Sequence, residues 1–367
     1  MRIGIDLRMP TYQMGGISQY ALHLLPALAA LDRDNCYTIF HHRREQRDFT
    51  PAQPNFRRKT VVTPCHHRYE GWALSAELLS SRLDLLHSPD FIPPRRGARR
   101  HLITVHDLNF LYYPQYLTAE SRRYYNDQIA WAVARADAIS ADSEHTRQDI
   151  ITLLGVAPDR VRTIPLAANP LYSRPVRSAD IAATLARHNL PAGFLLFVGT
   201  LEPRKNLPVL LRSYHTLRHA HQIDLPLVLA GRRGWLADDI FTLIDDLGLA
   251  PHVRHLTGLS DQQLAHLYHA AGVLALPSHY EGFGLPPLEA LHCGCPVVSS
   301  DRGSLPEIVG QAGFLLDPDD IPTWVDALHT VLTDSAVRSD LIARGRQQAA
   351  RFTWQATAAA TLELYRA

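Results

Sequence analysis

Residues 278–301 read SHYEGFGLPPLEALHCGCPVVSSD, and their order of residue types is the best single guide to the architecture. Gly282 and Gly284 permit a tight loop, Pro286 and Pro287 suit the first turn of a helix, and Gly294 suits its end. Cys295-Pro296-Val297-Val298 then begins an extended segment. This is the grammar of a loop, helix and strand in a parallel α/β sheet, with Glu281 in the loop and Glu289 expected in the first helical turn. Unbonded N–H groups at such a helix start attract anions, and glycines let a ligand approach the main chain. Phosphate fits the N–H groups, whereas carboxylates repel it. The two glutamates are therefore expected to accept hydrogen bonds from neutral hydroxyls on either side of a phosphate, as a nucleotide sugar offers at its two ends.

Outward from this stretch, short apolar runs alternate with helical patterns along all 367 residues, which predicts parallel sheets covered by helices. RIGIDL, YTIFHH, TVVTP, LDLLHSP, HLITVHD and DAISADS read as strands of a first doubly wound domain. FLLFVGT, LPLVLAG, VRHLTG, VLALPS, PVVSSD and GFLLD read as those of a second. Residues 168–190 carry Pro170 and Pro175 and read as a linker. The predicted organisation is an N-terminal Rossmann-like domain over 1–170, a second over 171–350, and a terminal helix over 351–367 packing back on the first. Two such domains imply a cleft between them.

Composition restricts the function classes. Hydrophobic residues are 46% and charged ones 20%, an ordinary globular balance. The four cysteines are too scattered for a disulfide framework, and Cys293-Gly294-Cys295 lacks zinc-knuckle spacing. The start MRIGIDLRMP runs into a strand pattern without a charged-then-apolar leader, so a cytoplasmic location is expected. Residues 1–170 hold 21 basic against 17 acidic residues and the remainder 16 against 19, so the first half is mildly basic. Its clusters, HHRREQR at 41–47, RRK at 57–59 and RRGARRH at 95–101, have few aromatics between the arginines, which disfavours nucleic acid. They read as solvated loops, with attraction to an anionic membrane surface as the alternative.

Ligands of open parallel sheets bind beyond the carboxyl ends of the strands, so the loops there hold the candidates. Gly15 and Gly16 precede a helix on which a diphosphate could lie, although G-x-G-x-x-G is absent and a plain turn accounts for the pair equally well. His106 closes a strand, placed either to donate to a sugar hydroxyl or phosphate or to be satisfied within its loop. Arg204 and Lys205 follow FLLFVGT. Lys205 is one of only two lysines in the chain, a compact charge on a flexible stem suited to phosphate, and a capping or surface role is the alternative. Arg232 and Arg233 follow another strand, and at least one reads as solvated. Gly258 and Leu259 could lie against a flat base. Asp317-Pro318-Asp319 has the form of a metal-binding D-x-D but reads as a turn, and no H-E-x-x-H exists, so no metal ligands are assigned.

Taken together, MGGISQY, VHD, VGTLEPRKNL and EGFGLPPLEA followed by GCPVVSSDRGSLPEIVG resemble the retaining glycosyltransferases of family four, the GT-B fold, over essentially the whole chain. The E-x7-E pair, Glu281 to Glu289, is the most specific element. The resemblance implies α/β architecture with two Rossmann-like domains facing across a cleft. It implies Glu281 at the donor sugar's hydroxyls, Glu289 at the ribose, and main-chain N–H groups of Phe283, Gly284 and Leu285 at sugar or phosphate. Arg204 and Lys205 would hold the diphosphate, Gly15 and Gly16 would approach it from the other domain, and His106 would lie beside the reacting sugar. Many relatives carry a basic residue where this chain has Thr200, so the charge is carried by Arg204 and Lys205 or shifted a few residues.

The expectation is transfer of a hexose, mannose or a deoxyhexose, from a GDP-sugar with retained configuration and without metal or other cofactor. The acceptor would be a glycan or lipid-linked glycan of bacterial polysaccharide assembly, with nucleic acid excluded and a peripheral contact with the cytoplasmic face of the inner membrane left open. The rival readings are a nucleotide-sugar 2-epimerase, a non-catalytic nucleotide-sugar-binding subunit, and a nicotinamide oxidoreductase disfavoured by the missing fingerprint.

Overall fold

The computed structural model describes every residue except 13–14, 117–118 and 235, together with the side chains of 116, 120 and 121, about which nothing is stated. Met14 of MGGISQY and Trp235 of LAGRRGW therefore lie outside the described residues. The chain divides into two compact units: unit 1 comprises Met1–Ala167 and Thr353–Ala367, and unit 2 comprises Ala168–Phe352.

Unit 1 contains β1 (Arg2–Asp6), β2 (Cys36–His42), β3 (Phe56–Val61), β4 (Leu83–Ser88), β5 (Ala98–Val105), β6 (Ala138–Ala141) and β7 (Val161–Thr163). They form one sheet in the order β3-β2-β1-β4-β5-β6-β7, every neighbouring pair parallel. Unit 2 contains β8 (Leu195–Val198), β9 (Leu227–Ala230), β10 (Val253–Leu256), β11 (Val273–Leu276), β12 (Val297–Ser300) and β13 (Gly313–Leu316). Their order is β10-β9-β8-β11-β12-β13, again all parallel. In both units the order runs inward to the first strand and then outward again. These are doubly wound Rossmann-like sheets, with a switch point between β1 and β4 in unit 1 and between β8 and β11 in unit 2.

Central strands of such sheets are covered by helices on both faces and must be apolar throughout. LLFV, LVLA and VLAL are buried at every position, whereas the edge strands β10 and β13 are only half-buried. Trp324, fully buried in the unit 2 core, satisfies its indole N–H on the carbonyl of Asp317 at 2.9 Å.

Three expectations need correction. The third strand is FRRKTV, starting four residues before the TVVTP run, because at a sheet edge its charged residues can face water while Phe56 and Val61 are buried. β7, only three residues long, carries too little pattern to be seen in the sequence. The expected linker is helical over Ser178–Arg187, and Thr184 there bonds His266 Nδ1 at 2.7 Å.

The helix Trp354–Arg366 belongs to unit 1. Trp354 stacks on His23 at 5.4 Å, Thr357 donates to the carbonyl of Pro165, and the Tyr365 hydroxyl meets His87 Nδ1 at 2.8 Å in full burial.

Candidate functional site

At the switch point of unit 2, the chain leaving β8 runs through Gly199 into a short turn at Pro203–Lys205, while the chain leaving β11 reaches Glu281. Crossing at this point brings the predicted charges together. Lys205 Nζ lies 2.5 Å from Glu281 Oε1, and Arg204 lies 3.2 Å from Glu281 Oε2 and 2.6 Å from Glu202. Arg204 also donates to the carbonyl of Tyr280 and accepts, through its own carbonyl, the N–H of His279. Lys205 and Glu281 are each 7% exposed. Burial alone would raise the Glu281 carboxyl, but Lys205 and then Arg204 outweigh it and hold the group ionised, down to about 2.

The loop that carries Glu281 is shaped by two glycines. Gly303, at φ +61, lies so close to Glu281 that a Cβ there would fall 2.6 Å from its carbonyl oxygen. Gly284, at φ +102, caps the helix Leu285–His292 in a left-handed conformation that side chains resist. Ser304 fastens the loop by donating to the carbonyls of Glu281 and Phe283 at 3.0 and 2.7 Å. Pro286 and Pro287 lack N–H groups, so the main-chain donors at this helix start are those of Phe283, Gly284 and Leu285. Among the described residues no protein acceptor takes them.

Glu289 differs from the expectation. It sits in the second helical turn, and its Oε2 accepts the hydroxyl of Tyr268 at 2.9 Å. Burial pushes its carboxyl up to about 8 against that hydrogen bond, so at neutral pH it is mainly protonated and can donate as well as accept. The repulsion argument from the sequence thus applies to Glu281 and not to Glu289. Gly258, at φ +68 with open space where a Cβ would be, and Leu259 follow the edge strand β10, two strands from the switch point.

Arg232, at the end of β9, places its Nε 3.4 Å from Thr200 Oγ1, so a cation from the neighbouring strand stands where Thr200 itself brings none. Arg233 lies over the ring of Phe241 at 3.8 Å. The turn at Asp317–Asp319 is taken up structurally: Arg302 donates to Asp317 at 2.8 Å, and Asn206 to the carbonyl of Pro318 at 2.8 Å. Among the described residues no cluster of three or more histidine, cysteine, aspartate or glutamate side chains has metal-binding geometry.

In unit 1, Gly15 precedes the helix Gly16–Leu31 in extended conformation, and nothing lies within 4 Å of where a Cβ on Gly16 would be. His106 follows β5. Its Nδ1 lies 2.6 Å from Asp142 Oδ2 and its Nε2 2.9 Å from the carbonyl of Pro89. Both partners are acceptors, so both ring nitrogens carry protons and the imidazole is cationic. Burial alone would lower its pKa, but the Asp142 carboxylate raises it to about 9. His106 is thus held within its loops by both nitrogens.

The unit 1 switch point also holds a group the sequence reading missed. A small cleft there is lined by residues following β1 and β4, with Cys65, His66, Glu70 and Tyr124. Arg8, 1% exposed, donates to Asp6 and Glu70, each at 2.6 Å, and to the carbonyl of Thr63 at 2.9 Å. His66, a non-glycine at φ +60, pairs with Asp90 at 2.9 Å. The one cue in the sequence was Asp6-Leu7-Arg8 at a strand end.

Comparison with known proteins gives the family. Residues 14–170 match the model described as Glycosyltransferase Family 4, and residues 186–348 match that described as Glycosyl transferases group 1. The chain is 32% identical to the O-antigen chain mannosyltransferase B of Escherichia coli, covering 97% of both proteins. It is 34% identical, over 66% of its length and 30% of the relative's, to the serotype-specific mannosyltransferase WbdA of the same organism. Among solved structures, sucrose-phosphate synthase from Thermosynechococcus elongatus superposes with a TM-score of 0.77 at 23% identity, covering 100% of this chain and 98% of that one. WaaG, a glycosyltransferase of lipopolysaccharide biosynthesis, superposes at 0.74 with 16% identity, covering 99% of each. With two doubly wound sheets, a Glu281–Lys205–Arg204 cluster at the second switch point and a full-length relative, the chain belongs to the family 4 glycosyltransferases of group 1.

Proposed function

We propose that the protein transfers a hexose, mannose or a deoxyhexose, from a GDP-sugar to a glycan or lipid-linked glycan of bacterial polysaccharide assembly, with retained anomeric configuration. The observation that carries this reading is the ionised Glu281 between Lys205 and Arg204, beside open main-chain donors at 283–285. Breaking the bond to diphosphate develops positive charge at the anomeric carbon and negative charge on the leaving oxygen. Lys205, Arg204 and the N–H groups would stabilise the latter, and Arg232 would supply the third cation. With these cations present and Asp317 and Asp319 bound to Arg302 and Asn206, the leaving group is stabilised without a metal. The choice of mannose rests on the names of the two Escherichia coli relatives. Glu281 would accept from hydroxyls of the donor sugar and Glu289 would meet the ribose. The acceptor's hydroxyls suit the carboxylate-rich unit 1 pocket, where phosphate would be repelled.

A thermal-shift screen against GDP-, UDP-, dTDP- and ADP-sugars, with and without chelator, tests the donor, since binding raises apparent stability by mass action. A shift with GDP-mannose that survives chelator is expected. Turnover of donor alone to an epimer would support the 2-epimerase instead, and donor binding without transfer or hydrolysis would support a non-catalytic subunit.

A further inference from the structure

A carboxyl group on a helix samples several rotamers unless a neighbour holds it. Glu289 is held from another helix, Asp261–Ala270, whose start is fixed by Ser260 and Gln263, each side chain accepting the other's main-chain N–H. That helix carries Tyr268 with no exposure, and a buried phenol needs an acceptor for its O–H. Tyr268 places it on Glu289 Oε2 at 2.9 Å. Behind Tyr268 stands Tyr172, 3% exposed, in the turn Pro170–Ser173 near the start of unit 2. Its ring meets that of Tyr268 edge-on at 5.7 Å, and its carbonyl accepts from Cys293 Sγ, one turn beyond Glu289, at 3.5 Å. Asn169 ties the same turn to Asp261 at 3.2 Å. Three segments distant in sequence thus fix where the Tyr268 hydroxyl lies.

Glu281 is held by two cations, whereas Glu289 is held by one neutral hydroxyl. Of the other titratable groups around it, Asp261 and Tyr172 come from the neighbouring elements and Cys293 from the end of its own helix, and none of them is a cation. Burial, and then the Glu289 carboxyl, push the Tyr268 phenol well above its usual 10, so it keeps its proton and remains a donor. With Oε2 occupied, Oε1 is the oxygen left for a ligand. An ionised Oε1 has lone pairs for two neighbouring hydroxyls, and the hydrogen bond at Oε2 favours that ionised form.

We propose that Tyr268, backed by Tyr172, is a positioning residue for the nucleoside half of the donor: its hydroxyl holds the Glu289 carboxyl so that Oε1 meets the vicinal hydroxyls of the ribose. This deepens, and rests on, the reading of Glu289 as the ribose partner, and Tyr268 acts only through that glutamate. The test is Tyr268→Phe, which removes one oxygen and keeps the ring. Its control is Tyr214→Phe, at a buried tyrosine whose hydroxyl serves the carbonyl of Leu225 at 2.8 Å. In calorimetry at pH 8, Tyr268→Phe is expected to bind GDP about tenfold more weakly than the parent and 2′,3′-dideoxy-GDP equally well. Tyr214→Phe should bind both like the parent. Equal weakening of the two ligands by Tyr268→Phe, or unchanged binding of GDP, would overturn the inference. Infrared difference spectra of the nucleotide-free protein add a second reading, through the neutral-carboxyl band that Glu289→Gln removes. Its midpoint, about 8 in the parent, is expected to rise by about one pH unit in Tyr268→Phe and to stay in place in Tyr214→Phe. An unmoved midpoint in Tyr268→Phe would also overturn the inference. A raised midpoint in a protein that ignores GDP would uphold the tyrosine's hold on Glu289 and count against the GDP-sugar donor instead.

Discussion

The two switch points occupy the same place in the same strand order and carry opposite charge logic. In unit 2, Lys205 and Arg204 meet Glu281 and Glu202 beside an uncapped helix start, with Arg232 one strand away. In unit 1, the buried Arg8 and His66 face three carboxylates, Asp6, Glu70 and Asp90. In the proposed reaction a diphosphate would be attracted to the first arrangement, whereas neutral hydroxyls would suit the second. One topology thus carries two different charge arrangements, and the difference lies in side chains at the strand ends and in the segments that follow them rather than in the strand order.

The largest effect that could break this contrast is in unit 2. Lys205→Ala and Glu281→Gln are each expected to lower turnover about 10²–10³-fold, the range found when one preorganised charge stabiliser is removed. Lys205→Ala also leaves a buried carboxylate short of a partner, so a loss of about 3–5 kcal/mol in denaturant melts is expected. Lys205→Met/Glu281→Gln, removing both charges, should recover part of that stability. Additive losses in the double variant would show that the two groups do not act as a pair.

A second test bears on unit 1. His106 has its folded pKa raised from 6.5 to about 9. Its contribution to stability is therefore fully present below pH 6.5 and is lost as pH rises through about 9, amounting to about 3 kcal/mol. Stability profiles of the parent and His106→Gln should converge above that range. A His106→Gln protein with full turnover where it remains folded would restrict the histidine to holding the loops after β4, β5 and β6.

The smallest effect sharpens the contrast at the donor end. With Glu289 raised to about 8, a ribose that binds its ionised form is held more tightly as pH rises through about 8. The gain is about tenfold between pH 7 and 9, and Glu289→Gln should abolish the slope. A donor affinity independent of pH in the parent would mean that the ribose meets the neutral acid.

Unit 2 was more legible in the sequence than unit 1 because its site is punctuated locally. Gly282, Gly284, Pro286 and Gly294 mark a loop, helix and turn within thirteen residues, and Lys205 stands out in a chain with one other lysine. What spacing could not show was environment. Tyr268, twenty-one residues before Glu289, helps decide that glutamate's surroundings, and Asp142 and Pro89 converge on His106 only once β4, β5 and β6 lie side by side. The unit 1 pocket draws on five separate segments with no common spacing. Likewise, the FRRKTV strand depends on which side meets water, which a short pattern leaves undetermined.

The helix Trp354–Arg366 adds a constraint of a different kind, on the order of assembly. It closes unit 1, burying Tyr365 against His87 beneath β4, yet it is synthesised after all of unit 2. While the chain grows, unit 1 holds a sheet whose cover has not been made, and His87 waits for a hydroxyl 278 residues away. Unit 2, continuous in sequence, has no such delay and can fold as soon as it emerges. Unit 1 is thus begun before unit 2 and completed after it.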